Sequence, residues 1–334
     1  MRTSSNVLLK LSYVGRGYYG FAYQPGLSTI EYFLFRALTQ AKMIQTEKQV
    51  TISDNEFIIP KEILNSATAA KYHKCGRTDA GVSAAAQYIS LVLSPPTQTL
   101  STPYPYDLIL NQYLPPDIRV LGWMYVDDGV SARFSCEWRE YEYYFAGEAL
   151  DLERMRSAAK LLEGTHWLGR LSKPEKPASK ARRLERKQLL SPDSEAAQDL
   201  VRTVDSILFE KQRSLAELGI DIFVMRIRAR SFLHNQVRKT FGLLRLIGSG
   251  TSISIKNVLD MQSRGEKDIP LADSQPLVLA RCAFRGVDLS AMRTTPSKRR
   301  SPRLLLAQTL VTGEVSARIG AEGCKDTPSP TRNK

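Results

Sequence analysis

One stretch of the chain has residue types and spacing suited to chemistry: Tyr72–Ala84, YHKCGRTDAGVSA. Its single carboxylate, Asp79, stands two residues after the cation of Arg77 and two before Gly81. Gly81 permits a tight turn, and the apolar run Tyr88–Leu93 that follows reads as a strand. A turn fixed to a strand gives an acid little freedom, and an adjacent cation keeps it ionised. That combination suits a nucleophile. The same residues also suit a plain Arg–Asp pair pinning a surface turn, so the stretch alone leaves both readings open.

Two further stretches hold candidate partners. In Ala132–Phe145, ARFSCEWREYEYYF, Tyr141, Tyr143 and Phe145 fall on one face of a strand. Aromatic strands usually pack in a core, but a buried tyrosine hydroxyl needs a polar partner. Beside the Asp79 turn, Tyr141 could hold or deprotonate a substrate. In Ser231–Gly250, Leu233, Val237, Phe241, Leu244 and Ile247 make a helical stripe. Arg238 lies off that stripe near the N-terminal half, where an ordinary surface arginine would also sit.

These residues must be positioned by ordinary elements. Val7, Leu9, Leu11 and Tyr13 alternate as a strand. The connection GRGYYGFAYQPG follows, with glycines able to approach a ligand and tyrosines able to stack on bases or pack on their own sheet. Ser28 and Glu31 match a capping box for a helix whose stripe runs from Ile30 to Ala41. Pro60 starts a short helix, Leu108–Leu114 reads as helical, and Ile118–Val126 reads as a strand. A helix is expected over Leu152–Leu162 and another near Ala196–Leu218, with strands at Ile222–Ala229 and within Pro276–Leu289. Lys173–Lys187 is dense in Lys, Arg and Pro, either a solvated linker or a phosphate-contacting arm. The tail after Ser290 is basic, of low complexity and expected to be disordered, with PSKRRSPR available as an import signal or RNA contact.

The 334 residues allow two domains, and a net charge of +13 points to a negatively charged partner. No apolar run reaches membrane-spanning length, so no membrane partner is expected. Cys75, Cys136, Cys282 and Cys324 are far apart and form no CxxC, and the three histidines are scattered. No metal site can be built from sequence neighbours, and reduced thiols in an intracellular compartment are expected.

Taken in order, the three stretches resemble the TruA-type tRNA pseudouridine synthases. The family's RTDxGVxA signature is matched by Arg77 to Ala84, its RxYxY strand by Arg139 to Tyr143, and its FLxxxVR helix by Phe232 to Arg238. YVGRGYYGFAYQ, LPPDIRVLGW and PLVLARCAFRGVDL are similar to the eukaryotic branch acting on tRNA positions 38 and 39. The likeness covers roughly residues 6–290.

The resemblance implies an α+β fold: two similar α/β halves forming one mixed, mainly antiparallel sheet with flanking helices and a basic cleft. The N-terminal half, 1–147, would carry the catalytic aspartate. The C-terminal half, 148–290, would carry the basic insert near 173–195, ahead of a basic tail at 291–334. It further implies a homodimer acting on the tRNA anticodon stem-loop without cofactor or metal. Asp79 becomes the nucleophile, Tyr141 the substrate-binding tyrosine, Arg238 the partner of the aspartate, and Arg77 the group that helps extrude the base. His234 and Gln236 occupy variable positions and receive no role. Trp167 and Leu168 replace an Asp-Phe pair common in relatives after Gly164-Thr165-His166, which leaves local packing open. Residence in the cytoplasm or nucleus is expected ahead of the mitochondrion. The alternatives are a non-catalytic tRNA-binding or RNA-folding protein of the same fold and a general basic nucleic-acid binder.

Overall fold

The computed structural model describes residues 4–44, 52, 56–94, 103–173, 195–215, 220–263 and 268–294. The first strand, β1 (Ser5–Tyr13), leads through α1 (Ile30–Gln40) and α2 (Lys61–Ala69) to β2 (His73–Lys74) and β3 (Ser83–Leu93). α3 (Tyr106–Tyr113) and β4 (Ile118–Tyr125) follow. Then come β5 (Cys136–Ala146), α4 (Leu152–Lys160), β6 (Gly164–Trp167), α5 (Glu195–Gln198), β7 (Val201–Leu215) and β8 (Ile220–Ala229). α6 (Gln236–Gly248), α7 (Ile255–Leu259) and β9 (Leu277–Phe284) follow, and short 3-10 turns lie at Gly169–Leu171 and Leu289–Ala291.

All the strands join one sheet, ordered β4-β1-β3-β9-β5-β8-β7-β6, with β2 also paired to β3. Two runs repeat one plan. β1 pairs antiparallel with β3 and β4, and β5 pairs antiparallel with β8 and β9. A helix follows each central strand, α1 in one run and α4 in the other. The runs meet at the one parallel pairing found among the described strands, Ser83 with Val278 and Ala84 with Leu279. This is the expected mixed, mainly antiparallel α+β arrangement. The repeat changes over between β4 and β5.

The core follows from the patterns. Ile30, Leu34, Ala37 and Leu38 of α1 are buried, as the stripe predicts. Tyr143 stacks on Phe241 of α6 with ring centroids 3.9 Å apart, and Phe145 approaches the same ring at 5.0 Å. α6 is thereby pinned to the strand that carries Tyr141.

Two expected elements differ. The cap of α1 is Thr29, which accepts from the Tyr32 amide, not Ser28. Glu31 cannot reach back in a capping box because its carboxylate binds Lys74 Nζ at 2.6 Å and the Tyr23 amide at 2.7 Å. The helix expected near Ala196–Leu218 is a single turn, α5, followed by the long strand β7. Val204, Ile207 and Leu208 would share a helical stripe, yet Leu208 is 46% exposed while Val204, Ile207 and Phe209 are buried. Pairing along β8 satisfies this segment's backbone and overrides its ambiguous period. Most of the basic segment 173–187 and the tail beyond residue 294 lie outside the described residues.

Replacing Phe241 by Ala should remove the ring shared by Tyr143 and Phe145 and cost about 3–5 kcal/mol. Urea titration should show the loss as a lower midpoint; an unchanged midpoint would contradict this packing.

Candidate active site

The turn carrying Asp79 is fastened from several directions. The Cys75 amide donates to Tyr88 O at 2.8 Å. The buried Gln87 side chain donates to Gly76 O at 2.7 Å. The Arg139 guanidinium of β5 donates through Nε to Cys75 O at 3.0 Å and also reaches Arg230 O. Thr78 Oγ1 lies 2.8 Å from the Tyr13 hydroxyl, and Thr78 O accepts from the Phe21 amide at 3.1 Å. The Gly81 amide donates to Tyr18 O, and the Val82 amide closes the turn onto Asp79 O.

The glycine-rich connection has its use here. A Cβ at Gly15 would lie 2.2 Å from Val82 O. At Gly20, whose φ is +91°, it would lie 2.9 Å from Thr78 O. These two glycines let their loop close onto the Asp79 turn, so the close approach is of chain to chain. Tyr18 meets Phe33 edge-on and donates to Asp117 at 2.7 Å, which is the packing alternative for this tyrosine.

Asp79 opens into a cavity of about 1200 Å³. α1 and α2 line one part of it, and the segment leading into α6 lines another. Arg77, Arg133, Arg139, Arg230 and Arg238 all reach it. Glu31, the other acid in the lining, is neutralised by Lys74. Asp79 is therefore a lone carboxylate in a cationic cavity, with its side chain 23% exposed.

Burial raises the Asp79 pKa, and the positive groups of His234, Arg238 and Lys173 oppose that rise without cancelling it. The sequence led us to expect a depressed value, but the loss of water outweighs the nearby cations. The nearest is also not the expected one: His234 Nε2 lies 3.5 Å from Asp79 Oδ1. Arg238 donates from Nε to Ala272 O at 2.7 Å and makes no direct ion pair with Asp79, so it acts on the carboxylate through space. His234 had been given no role. Its one sequence signal is its place immediately before the α6 cap Asn235, a left-handed residue with φ of 63° that turns the chain there.

Tyr141 is buried and lines the same cavity, with its ring edge-on to Phe232 at 5.2 Å. Burial, helped by the negative charge of Asp79 among others, raises its pKa well above the usual phenol range. The neutral phenol is therefore favoured at neutral pH and can donate a hydrogen bond. Arg77 is exposed at the cavity lining. The fold thus brings Asp79, Tyr141, Arg238 and Arg77 together. Trp167 packs its ring on Gly169, where a Cβ would lie 2.2 Å away, and Leu168 is buried, which answers the packing question raised by this pair.

A lone acid in an arginine-lined cavity combines a reactive carboxylate with surroundings that attract negative charge. Residues 158–285 match the tRNA pseudouridine synthase family. A tRNA pseudouridine synthase A of Methanosarcina mazei is 32% identical over 73% of this chain and 71% of its own length. The chain belongs to the tRNA pseudouridine synthase family. It is also 32% identical to a bovine, and 33% identical to a mouse, tRNA pseudouridine(38/39) synthase, over 84% of this chain in each case. It spans 56% of the length of those two relatives.

The raised Asp79 pKa sets a stability consequence. The folded state holds the extra proton between the unfolded and folded pKa values, so stability falls as pH rises through that window. At neutral pH the ionised Asp79 is destabilising. Asp79→Asn should melt above wild type at pH 7, and the difference should close below the ordinary value of 3.8. A variant that melts lower at pH 7 would overturn this reading of the site.

Proposed function

We propose that this chain isomerises uridine to pseudouridine in tRNA, at position 38 or 39 of the anticodon stem-loop. The observation that carries the proposal is Asp79, the cavity-lining carboxylate that no lysine or arginine pairs directly among the described residues, in a cavity lined by arginines. The names of the bovine and mouse relatives support the position.

The reaction breaks the C1′–N1 bond, turns the uracil over and joins C5 to C1′. C5 loses a proton and N1 gains one, so the product is an isomer. Asp79 is the group that acts at the ribose, by attack on C1′ or by taking the 2′ proton on a glycal route. Burial favours the neutral phenol of Tyr141, which offers its ring and hydroxyl to the uracil. Arg238 sustains the ionised form of Asp79 through space. Extruding the base costs a few kcal/mol, and Arg77 at the exposed lining is suited to fill the vacated stack. Arg133 and Arg230 supply charge for phosphates. The family resemblance supports a homodimer, which light scattering would read. The unpaired thiols support a reducing compartment such as cytoplasm or nucleus.

Asp79→Ala should abolish pseudouridine formation while tRNA binding persists, because it removes negative charge from the cavity. Chemical mapping of positions 38 and 39 checks this, and normal modification by the variant would sink the proposal. Binding retained with no activity in the wild type would instead favour a tRNA-binding protein without chemistry. Deuterium at C2′ should slow the reaction severalfold on the glycal route and leave it unchanged on direct attack.

Arg238→Ala should reduce turnover on the order of 10²-fold, the cost typical of one lost electrostatic stabiliser. Single-turnover kinetics at saturating tRNA read this directly; an unaltered rate would remove Arg238 from the site. Raising salt from about 50 to 200 mM should weaken tRNA binding by ~10³-fold or more if some six phosphates are held.

A further inference from the structure

Three cysteines that are distant in sequence converge beside the active-site cavity. Cys75 precedes the Asp79 turn, Cys136 opens β5 and Cys282 lies in β9. Cys75 Sγ is 3.5 Å from both Cys136 Sγ and Cys282 Sγ, and all three sulfurs lie within 4.8 Å of one another. Each residue is at most 6% exposed, and all three are free of disulfides. Spacing along the chain offered no metal-binding set; pairing of β5 with β9, and of the 75–76 turn with β3, creates one.

We propose that Cys75, Cys136 and Cys282 form a thiolate site for a divalent d10 metal ion of the Zn²⁺ type. Zinc–sulfur bonds of about 2.3 Å in tetrahedral geometry hold thiolates about 3.8 Å apart. The two contacts of Cys75, at 3.5 Å each, lie close to that spacing, and the third pair is within 4.8 Å. Soft thiolates select such ions over Mg²⁺ or Ca²⁺. Three thiols lose three protons to one Zn²⁺, leaving a complex of net charge −1. The Arg139 guanidinium, held against Cys75 O, supplies the balancing positive charge, and its electrostatic neighbours include all three sulfurs. Cys75 and Cys136 border the cavity, the side from which a water could complete the coordination. The role assigned to the ion is positional. It ties the turn carrying Asp79 to the strand carrying Tyr141 and to β9 at the seam.

The test uses the full-length reduced protein and reads metal directly, apart from pseudouridine formation. After incubation with Zn²⁺ and removal of the excess, elemental analysis should find one ion per chain. Alkylation mapped by mass spectrometry in mild denaturant should show Cys75, Cys136 and Cys282 protected by Zn²⁺ and Cys324 unprotected. Cd²⁺ should produce a sulfur-to-metal charge-transfer band of three-thiolate intensity. Zn²⁺ should raise the melting temperature of wild type and of Cys324→Ser, but not of Cys282→Ser. The alkylation and Cd²⁺ readouts need no variant, so they stand even if Cys282→Ser does not fold. Absence of bound metal, equal alkylation with and without Zn²⁺, or binding that survives in a folded Cys282→Ser protein would overturn the proposal. A disulfide among the three in freshly purified, unreduced protein with no metal bound would overturn it too. Metal binding in the inactive Asp79→Ala variant should match wild type, which separates this inference from the catalytic one.

Discussion

The desolvation of one carboxylate is the constraint around which this structure is arranged. Asp79 is deep enough for burial to raise its pKa, yet the proposed reaction needs it ionised. Arg238 and Lys173 answer that requirement through space, and the His234 ring lies 3.5 Å from the carboxylate. A direct, bidentate arginine pair would hold the charge more firmly, but it would also occupy the oxygens. Cations acting through space leave the carboxylate free to meet a substrate. The retention of Arg238 by a backbone carbonyl is consistent with this division, since it fixes the guanidinium without spending Asp79 on it.

Position is supplied by the backbone. Aspartate has a short side chain, so where Asp79 points is decided by the turn that bears it. The turn is held by Gln87 and Tyr88 from β3, by Arg139 from β5, and by the 15–21 connection through Tyr18 and Phe21. Gly15 and Gly20 are required because this connection approaches closer than a side chain would permit. The parallel contact between β3 and β9 begins at Ser83, directly after the turn. Through it, residues from the second run, Tyr141 and Arg139 on β5 and His234 before α6, come to face an acid from the first.

Much of this was legible in the sequence where local pattern and tertiary demand agree. The α1 stripe and the aromatic face of Tyr141, Tyr143 and Phe145 report burial directly. The alternation at Val7–Tyr13 marks the strand but not its burial, since Leu8 and Ser12 between those residues are buried too. The Arg77–Asp79–Gly81 turn was visible because its glycine has one use. Legibility ended where a side chain's partner lies far along the chain. Glu31 fits a capping box until Lys74 is placed beside it. Val201–Leu215 supports either period until β8 is laid along it. His234 is unremarkable until the α6 cap aims it at Asp79, and four scattered cysteines hide three sulfurs in contact. The depressed pKa expected for Asp79 failed for a related reason: neighbours in sequence reveal cations, but only the fold reveals how much water is lost.

The cavity's charge balance then bears on how a lone acid could coexist with the proposed anionic substrate. An isolated carboxylate facing phosphates would weaken binding, and it would do so most at short range, where little solvent screens it. Five arginines distributed around the cavity offset that repulsion, while Glu31, the second acid, is kept out of the field by Lys74. Phosphates can therefore be drawn to the periphery while the carboxylate faces the neutral parts of a nucleotide, its sugar and base. Tyr141, uncharged and buried, fits that inner zone. Cations around one acid would let the same cavity attract the proposed polyanion and still present a negative group to a single ribose.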